Sequence, residues 1–239
     1  MSKIKSGDYI MNNKYEFFFT AQSPFSNWSE GEFNLYGETF NCGEQAMMWI
    51  KAKIFGDLDK AESIASVYNP DRIRVKDINK NMNESFNDFA KDHLSNKEIT
   101  DFISKSNKPK IIKQMGREVG GFDQDIWDEI KTRVMYMVIK GKFSTNGYYK
   151  TALENTGSKI MVEASPYDKI WGIGLSADKA KSIPENQWPG QNLLGKMMTK
   201  YKKDVENNNV KDFSLDNLLQ MGIKKKISLS SGNNNSMTP

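Results

Sequence analysis

From about Asp123 to Lys142 the chain reads as one long helix, because Ile126, Ile130, Val134, Met137 and Val138 recur at the spacing of a single buried face. A second helix spans about Gly43 to Phe55. There Glu44, Met47, Met48, Lys51 and Phe55 fall at i, i+3, i+4, i+7 and i+11, so a glutamate and a lysine share an apolar stripe. Shorter helices are predicted near Tyr148–Asn155, ending at Gly157, and over Gln191–Val205 after Pro189-Gly190. Strand signals are brief. They comprise an apolar stretch at Glu16–Thr20, a hairpin over Phe33–Phe40 around Gly37, and Ile160–Glu163, with loops at Ser23–Trp28 and Pro166–Leu175. Residues 57–110 are polar and rich in Asn and Lys, with breaks at Asn69-Pro70 and Lys108-Pro109.

The fold class these elements predict is α+β and mainly helical: a single domain over residues 15–206 with small peripheral strands. A loose lead-in at 1–14 precedes it, and a partly disordered polar tail at 207–239 follows. That tail carries one amphipathic patch, Phe213–Met221, then a lysine triplet at 224–226 and the run SLSSGNNNSMTP, which has too little apolar surface to order itself. Leu215, Leu218, Leu219 and Met221 near those lysines suggest a partner-binding arm.

Composition removes several function classes. Cys42 is the only cysteine, so an internal disulfide or a multi-cysteine zinc site is excluded. His93 is the only histidine and lies in the polar stretch NDFAKDHLSNKE, where a surface position is expected. Mechanisms built on a histidine base are therefore disfavoured. The net charge of +4 is dispersed and fits a phosphorylated or nucleic-acid ligand without demonstrating one. No apolar run reaches the roughly 20 residues of a membrane span, and the start lacks a signal-peptide pattern, so a cytoplasmic protein without membrane partners is expected.

Four segments carry a resemblance: SPFSNW at 23–28, FNLYGETFNCGEQAMMWIKAKIF at 33–55, MGREVGGFDQDIWDEIK at 115–131, and VEASPYDKIWGIGL through WPGQNLLG at 162–195. In this order and spacing they resemble the NADAR, or YbiA-like, family, with the likeness covering roughly residues 15–205. One departure stands out. Where the family has a Ser-Glu-His triplet, this chain reads Gly43-Glu44-Gln45.

The resemblance implies cleavage of an N-glycosidic bond between ribose and an exocyclic amine. Two substrate classes follow from it: ADP-ribose on the amino group of guanine in nucleic acid, and phosphorylated ribosylamino-pyrimidine intermediates of riboflavin synthesis. In either, the sugar opens to an imine once its ring oxygen is protonated. A lysine can then attack the imine carbon, expel the amine and leave a Schiff base for water to hydrolyse. Lys51 is the expected nucleophile, matching a lysine of the family pattern, and Glu44 the proton shuttle. A buried structural ion pair is the alternative for both. Neither a metal nor another cofactor is needed, and Trp171-Gly172-Ile173-Gly174 lacks the strand and helix context of a dinucleotide loop. With the histidine missing, a non-catalytic ADP-ribose or nucleotide binding module is the rival of a different class.

Further site candidates are weaker. Asp168 would hold ribose hydroxyls or stabilise positive charge at the anomeric carbon, while Trp171 covers base or sugar, Glu163 adds a carboxylate, and Gly172 and Gly174 permit close backbone approach or positive φ. A tight turn with a core tryptophan is the alternative. Arg117 is a candidate phosphate binder or a surface arginine. Trp127 either stacks on the base or fills the core. Asn192 binds phosphate or ribose, or caps the following helix, and Asn27 contacts substrate or makes an ordinary turn. The pocket is expected among the Glu44 helix, the 115–131 segment and the 163–175 loop.

Overall fold

In the computed structural model the described residues are 14–68 and 108–223. The lead-in to residue 13, the Asn69-Pro70 break, His93 and the tail from residue 224, with its lysine triplet, lie outside them. The chain forms two compact units, one built from residues 1–39 and 135–212 and the other from 40–134 and 213–239. Helix dominates both, and the strands are short.

In the second unit, α1 (Gly43–Ile54) packs against α2 (Leu58–Ser66) and α3 (Lys108–Arg117). Every residue of α1 except Lys53 is buried. This is wider than the single stripe the spacing predicts. The reason is that Ala46, Trp49, Ile50 and Ala52 put a second apolar surface behind the first, which makes α1 a central helix covered all round. Gly116 of α3 permits the close crossing: a Cβ there would meet Met48 Sδ at 1.9 Å. Phe40 packs edge-on against Trp49, and Ile64, Ile112, Ile126 and Ile130 complete a core with essentially no exposure. Residues 215–223, which overlap the amphipathic patch, are helical and are named α8 below. Ser214 caps this turn by accepting from the Asn217 N–H, Leu218 is fully buried, and a Cβ at Gly222 would meet Ile54 at 2.9 Å.

The long helix α4 (Gln124–Thr145) begins in the second unit and ends in the first. In the first unit, β1 (Tyr15–Phe18) pairs in parallel with β4 (Ile160–Glu163), Tyr15 facing Ile160 and Phe18 facing Glu163. The hairpin of β2 (Phe33–Leu35) and β3 (Glu38–Phe40) turns through Tyr36 and Gly37, both at positive φ, as a two-residue turn with matching twist requires. After α4 come α5 (Gly147–Glu154), the short α6 (Ala177–Lys181) and α7 (Leu193–Glu206). α7 lies on β4, where a Cβ at Gly195 would fall 2.2 Å from the Met161 carbonyl oxygen. A satellite core of Tyr15, Val162, Ala164, Ile173 and Ala180 closes the β1–β4 pair from the side of the 166–175 loop.

Candidate functional site

Glu44 and Lys51 occupy the first and last turns of α1 and are 4 % and 8 % exposed. Ionisable groups on a helix covered all round are costly to bury, so this pair stands apart from the chain's many solvated charges. Lys51 Nζ donates to the Gly116 carbonyl at 2.7 Å and lies 3.9 Å from the centre of the Phe122 ring and 5.7 Å from that of Trp127. Burial pulls its pKa down to about 8, against the charge of Glu44, which acts to raise it. A substantial fraction of the amine is therefore neutral just above pH 7.

Phe122 is absent from the residues that spacing singles out. It is held by a latch on the loop before α4. Asp57, the N-cap of α2, accepts the Gly120 N–H at 2.7 Å, and buried Lys60 pairs with Glu118 at 3.3 Å. Gly121 turns the chain at φ +67, and Phe122 then meets Phe55 edge-on with ring centres 5.1 Å apart. The signal available in the sequence was Gly120-Gly121 directly before an aromatic residue. Trp127 is 8 % exposed, so its indole is both core and neighbour of the amine. Arg117, one residue beyond the carbonyl that holds Lys51, is exposed at the end of α3.

Position 45, where the family histidine is missing, is also clear. Gln45 is fully buried and accepts the Asn41 N–H at 2.8 Å through Oε1, while Nε2 donates to the Ile64 carbonyl at 3.0 Å and the Ala65 carbonyl at 3.3 Å. Its amide ties the start of α1 to the end of α2.

The remaining candidates lie in the first unit. Asp168 is half-buried and accepts the Ile170 and Trp171 N–H groups at 2.9 and 2.8 Å through Oδ1, which fixes the turn that carries half-buried Trp171. Gly172 and Gly174 serve the chain's own path. A Cβ at Gly172 would fall 2.9 Å from both the Glu163 and Asp168 carbonyl oxygens, and Gly174 sits at φ +70. Glu163 ends β4, its N–H donating to Asn192 Oδ1 at 3.0 Å, while Asn192 Nδ2 donates to the Met161 carbonyl at 3.1 Å. Asn192 thus precedes α7 in a left-handed conformation, and its side chain clamps the β4 backbone instead of capping the helix. It is buried, so its amide acts first as structure. Asn27 is half-buried with Nδ2 3.6 Å from Met135 Sδ, on a loop whose Ser26 carbonyl accepts from buried Lys142 at 2.7 Å.

Among the described residues no cluster of three or more His, Cys, Asp or Glu side chains is arranged to hold a metal, and no helix is long and apolar enough to cross a membrane.

The chain is similar to several known proteins. The chain is 36 % identical over 203 residues to N-glycosidase R617 of Acanthamoeba polyphaga mimivirus, covering 80 % of this chain and 96 % of that protein. It is 29 % identical over 118 residues to the chloroplastic riboflavin biosynthesis protein PYRR of Zea mays, covering 48 % of this chain and 17 % of that one. The solved structure of the E. coli protein YbiA aligns with a TM-score of 0.48 at 15 % identity, over 84 % of this chain and 90 % of that one. A NADAR domain model matches residues 71–206, a span that takes in Arg117, Phe122, Trp127 and the whole 163–175 loop. With that match and the long alignment to the viral relative, which also takes in most of the chain, the protein belongs to the NADAR domain family.

Proposed function

We propose that this protein is an N-glycosidase that releases ADP-ribose from the exocyclic amine of guanine in nucleic acid, with Lys51 as nucleophile and Glu44 as proton shuttle. The observation that carries the reading is the Lys51 amine. It sits on a central helix that also carries Glu44, is held by one carbonyl between two aromatic rings, and has a pKa of about 8. Likeness to a protein named as an N-glycosidase supports the reaction class.

In this route the Glu44 carboxyl protonates the ribose ring oxygen, and the C1–O bond opens to an iminium through the exocyclic nitrogen. The neutral Lys51 amine adds to C1. The guanine amine then takes a proton and leaves with the C1–N electron pair, giving a Lys51 Schiff base. Water adds to this imine and expels the lysine, and the freed aldehyde recloses as ADP-ribose. Arg117 is assigned to the pyrophosphate, since a guanidinium matches two phosphate oxygens at once. A burden-free position 45 fits catalysis without a histidine, because Gln45 is engaged with backbone.

The test is incubation with an oligonucleotide carrying one ADP-ribosylated guanine, with borohydride added during turnover. Free ADP-ribose and a reduced sugar adduct on Lys51 in the mass spectrum are expected. Lys51→Arg should abolish the adduct and slow release by several orders of magnitude, and Glu44→Gln should cost about 10²–10⁴-fold. Turnover by Lys51→Arg at near-normal rate would rule out the imine route and leave direct attack of water, with Glu44 as base. Binding without release would make the protein a reader of ADP-ribose. A second reading, hydrolysis of a phosphorylated ribosylamino-pyrimidine, is favoured by the likeness to the riboflavin biosynthesis protein. Release of the pyrimidine amine from that substrate, and none from the oligonucleotide, would select it.

A further inference from the structure

Phe122 is 39 % exposed, yet its ring and backbone are both held, and every residue that holds them lies in the same unit as Lys51. The ring lies over Lys51 Nζ, 3.9 Å from its centre, and meets Phe55 at 64°. In the backbone before it, Glu118 accepts from Lys60 through Oε2 and from Gln114 Nε2 at 2.8 Å through Oε1, and Val119 is buried. The Gly120 N–H donates to Asp57 Oδ2, and Gly121 turns at positive φ, where other residues are strained. A neutral lysine amine has two N–H groups and one lone pair, and the lone pair alone bonds to carbon. The Gly116 carbonyl takes one N–H at 2.7 Å, and the electron-rich face of Phe122 stands where the second can point. Trp127, at 5.7 Å, is the weaker partner. With both N–H groups directed, the lone pair is left facing away from carbonyl and ring. The charge that acts on this amine is that of Glu44. Lys60 on α2 is paired with Glu118, Arg117 at the end of α3 is exposed, and Asp57 and Asp123 are engaged with the first amides of α2 and α4.

We propose that Phe122 is the positioning residue of the Lys51 amine: its ring face and the Gly116 carbonyl direct the two N–H groups and so aim the lone pair, while Asp57 sets the ring through the Gly120 amide. The proposal rests on Lys51 as nucleophile and adds what orients it.

Its test follows the titration of Lys51 through the nitrogen chemical shift of its side chain, together with kcat and KM on the ADP-ribosylated oligonucleotide. Phe122→Leu keeps an apolar cover but removes the ring face that favours the ammonium, so the midpoint should fall by about one pH unit. In the same variant kcat per neutral amine should fall about tenfold with KM unchanged, and Phe122→Tyr should restore both midpoint and kcat. Asp57→Asn tests the ring without altering it. It keeps an oxygen for the Lys60 N–H but sets an amide nitrogen against the Gly120 N–H, so the loosened ring admits water and the midpoint should rise from about 8 towards 10.5. A ring that serves only as cover predicts an unchanged midpoint and unchanged kcat in Phe122→Leu, and either result overturns the proposal. An unmoved midpoint in Asp57→Asn overturns the part given to Asp57. If the wild-type protein turns over no substrate, the glycosidase reading fails and the titration decides alone. A lowered midpoint in Phe122→Leu then upholds the ring's hold on the amine, and one that stays or rises overturns it.

Discussion

Lys51 must lose a proton before it can attack, and its surroundings set the pH at which that happens. With a pKa of about 8 against the usual 10.5, the neutral fraction of Lys51, followed by the nitrogen chemical shift of its amine, should rise about tenfold per pH unit up to about pH 8 and level off above it. The same depression bears on folding. Between pH 8 and 10.5 the unfolded chain holds a proton on this amine that the folded chain has released, so stability rises with pH across that window. The cost of the buried charge is thus fully present below pH 8 and gone above 10.5. Lys51→Met should melt higher than wild type at pH 7, and the gap should narrow as pH rises from 8 to 10.5. A gap constant with pH would show that the amine is not buried as described. Gln45 calls for the opposite substitution effect. Gln45→Leu would leave the Asn41 N–H without its partner and remove one of the two donors to the Ile64 carbonyl, costing about 1–3 kcal/mol in urea unfolding. Neither partner is legible in the sequence, because spacing along one helix does not reveal which backbone groups of another lie against it. The alternation of apolar residues did place Glu44 and Lys51 on a helix. Their burial on every side came from Ala46 and Ala52, whose small size reads as neutral in a pattern but lets neighbours close in.

The elements divide by how local their causes are. The α4 stripe, the β4 strand and the Gly37 hairpin are written in runs of neighbouring residues, and they occur close to where periodicity and turn chemistry put them. The helix at 215–223 is different. Its patch Phe213–Met221 is visible in the sequence, yet nothing local says what it packs on, and the answer is Ile54 and Ile126 through the open face at Gly222. Leu218 is fully buried there, so Leu218→Ala should destabilise by about 2–5 kcal/mol, read from a shifted urea midpoint with unchanged slope. A loss under 0.5 kcal/mol would mean the helix is only loosely docked. Gly190 belongs to the same class of non-local cause. A Cβ there would fall 2.4 Å from the Gly172 carbonyl oxygen, so Gly190→Ala should break the hydrogen bonds that the N–H groups of residues 190–194 donate to the carbonyls of 169–173. In the wild-type protein the amides of residues 190–194 should exchange with solvent as slowly as those of α7, although no strand or helix covers residues 190–192. Fast exchange at these amides would contradict the bonding described.

At the scale of the whole molecule, the chain leaves one unit for the other after Thr39, after Val134 and after Asp212. Each unit is thus assembled from separated stretches of sequence, and a reading that moves along the chain sees one continuous domain because nothing in composition changes at those crossings. Such connectivity has a consequence for how the protein comes into being. During synthesis, the strands and helices that make up the first unit are all present once Asp212 has been added. The unit that houses Lys51, though it starts at Phe40, still waits for the turn holding Leu218. A domain born from the ribosome normally folds in the order in which it is made. Here Lys51 is made early and its unit is completed late, so a chain truncated between residues 212 and 218 and released from the ribosome should carry a finished first unit and an unsealed lysine helix.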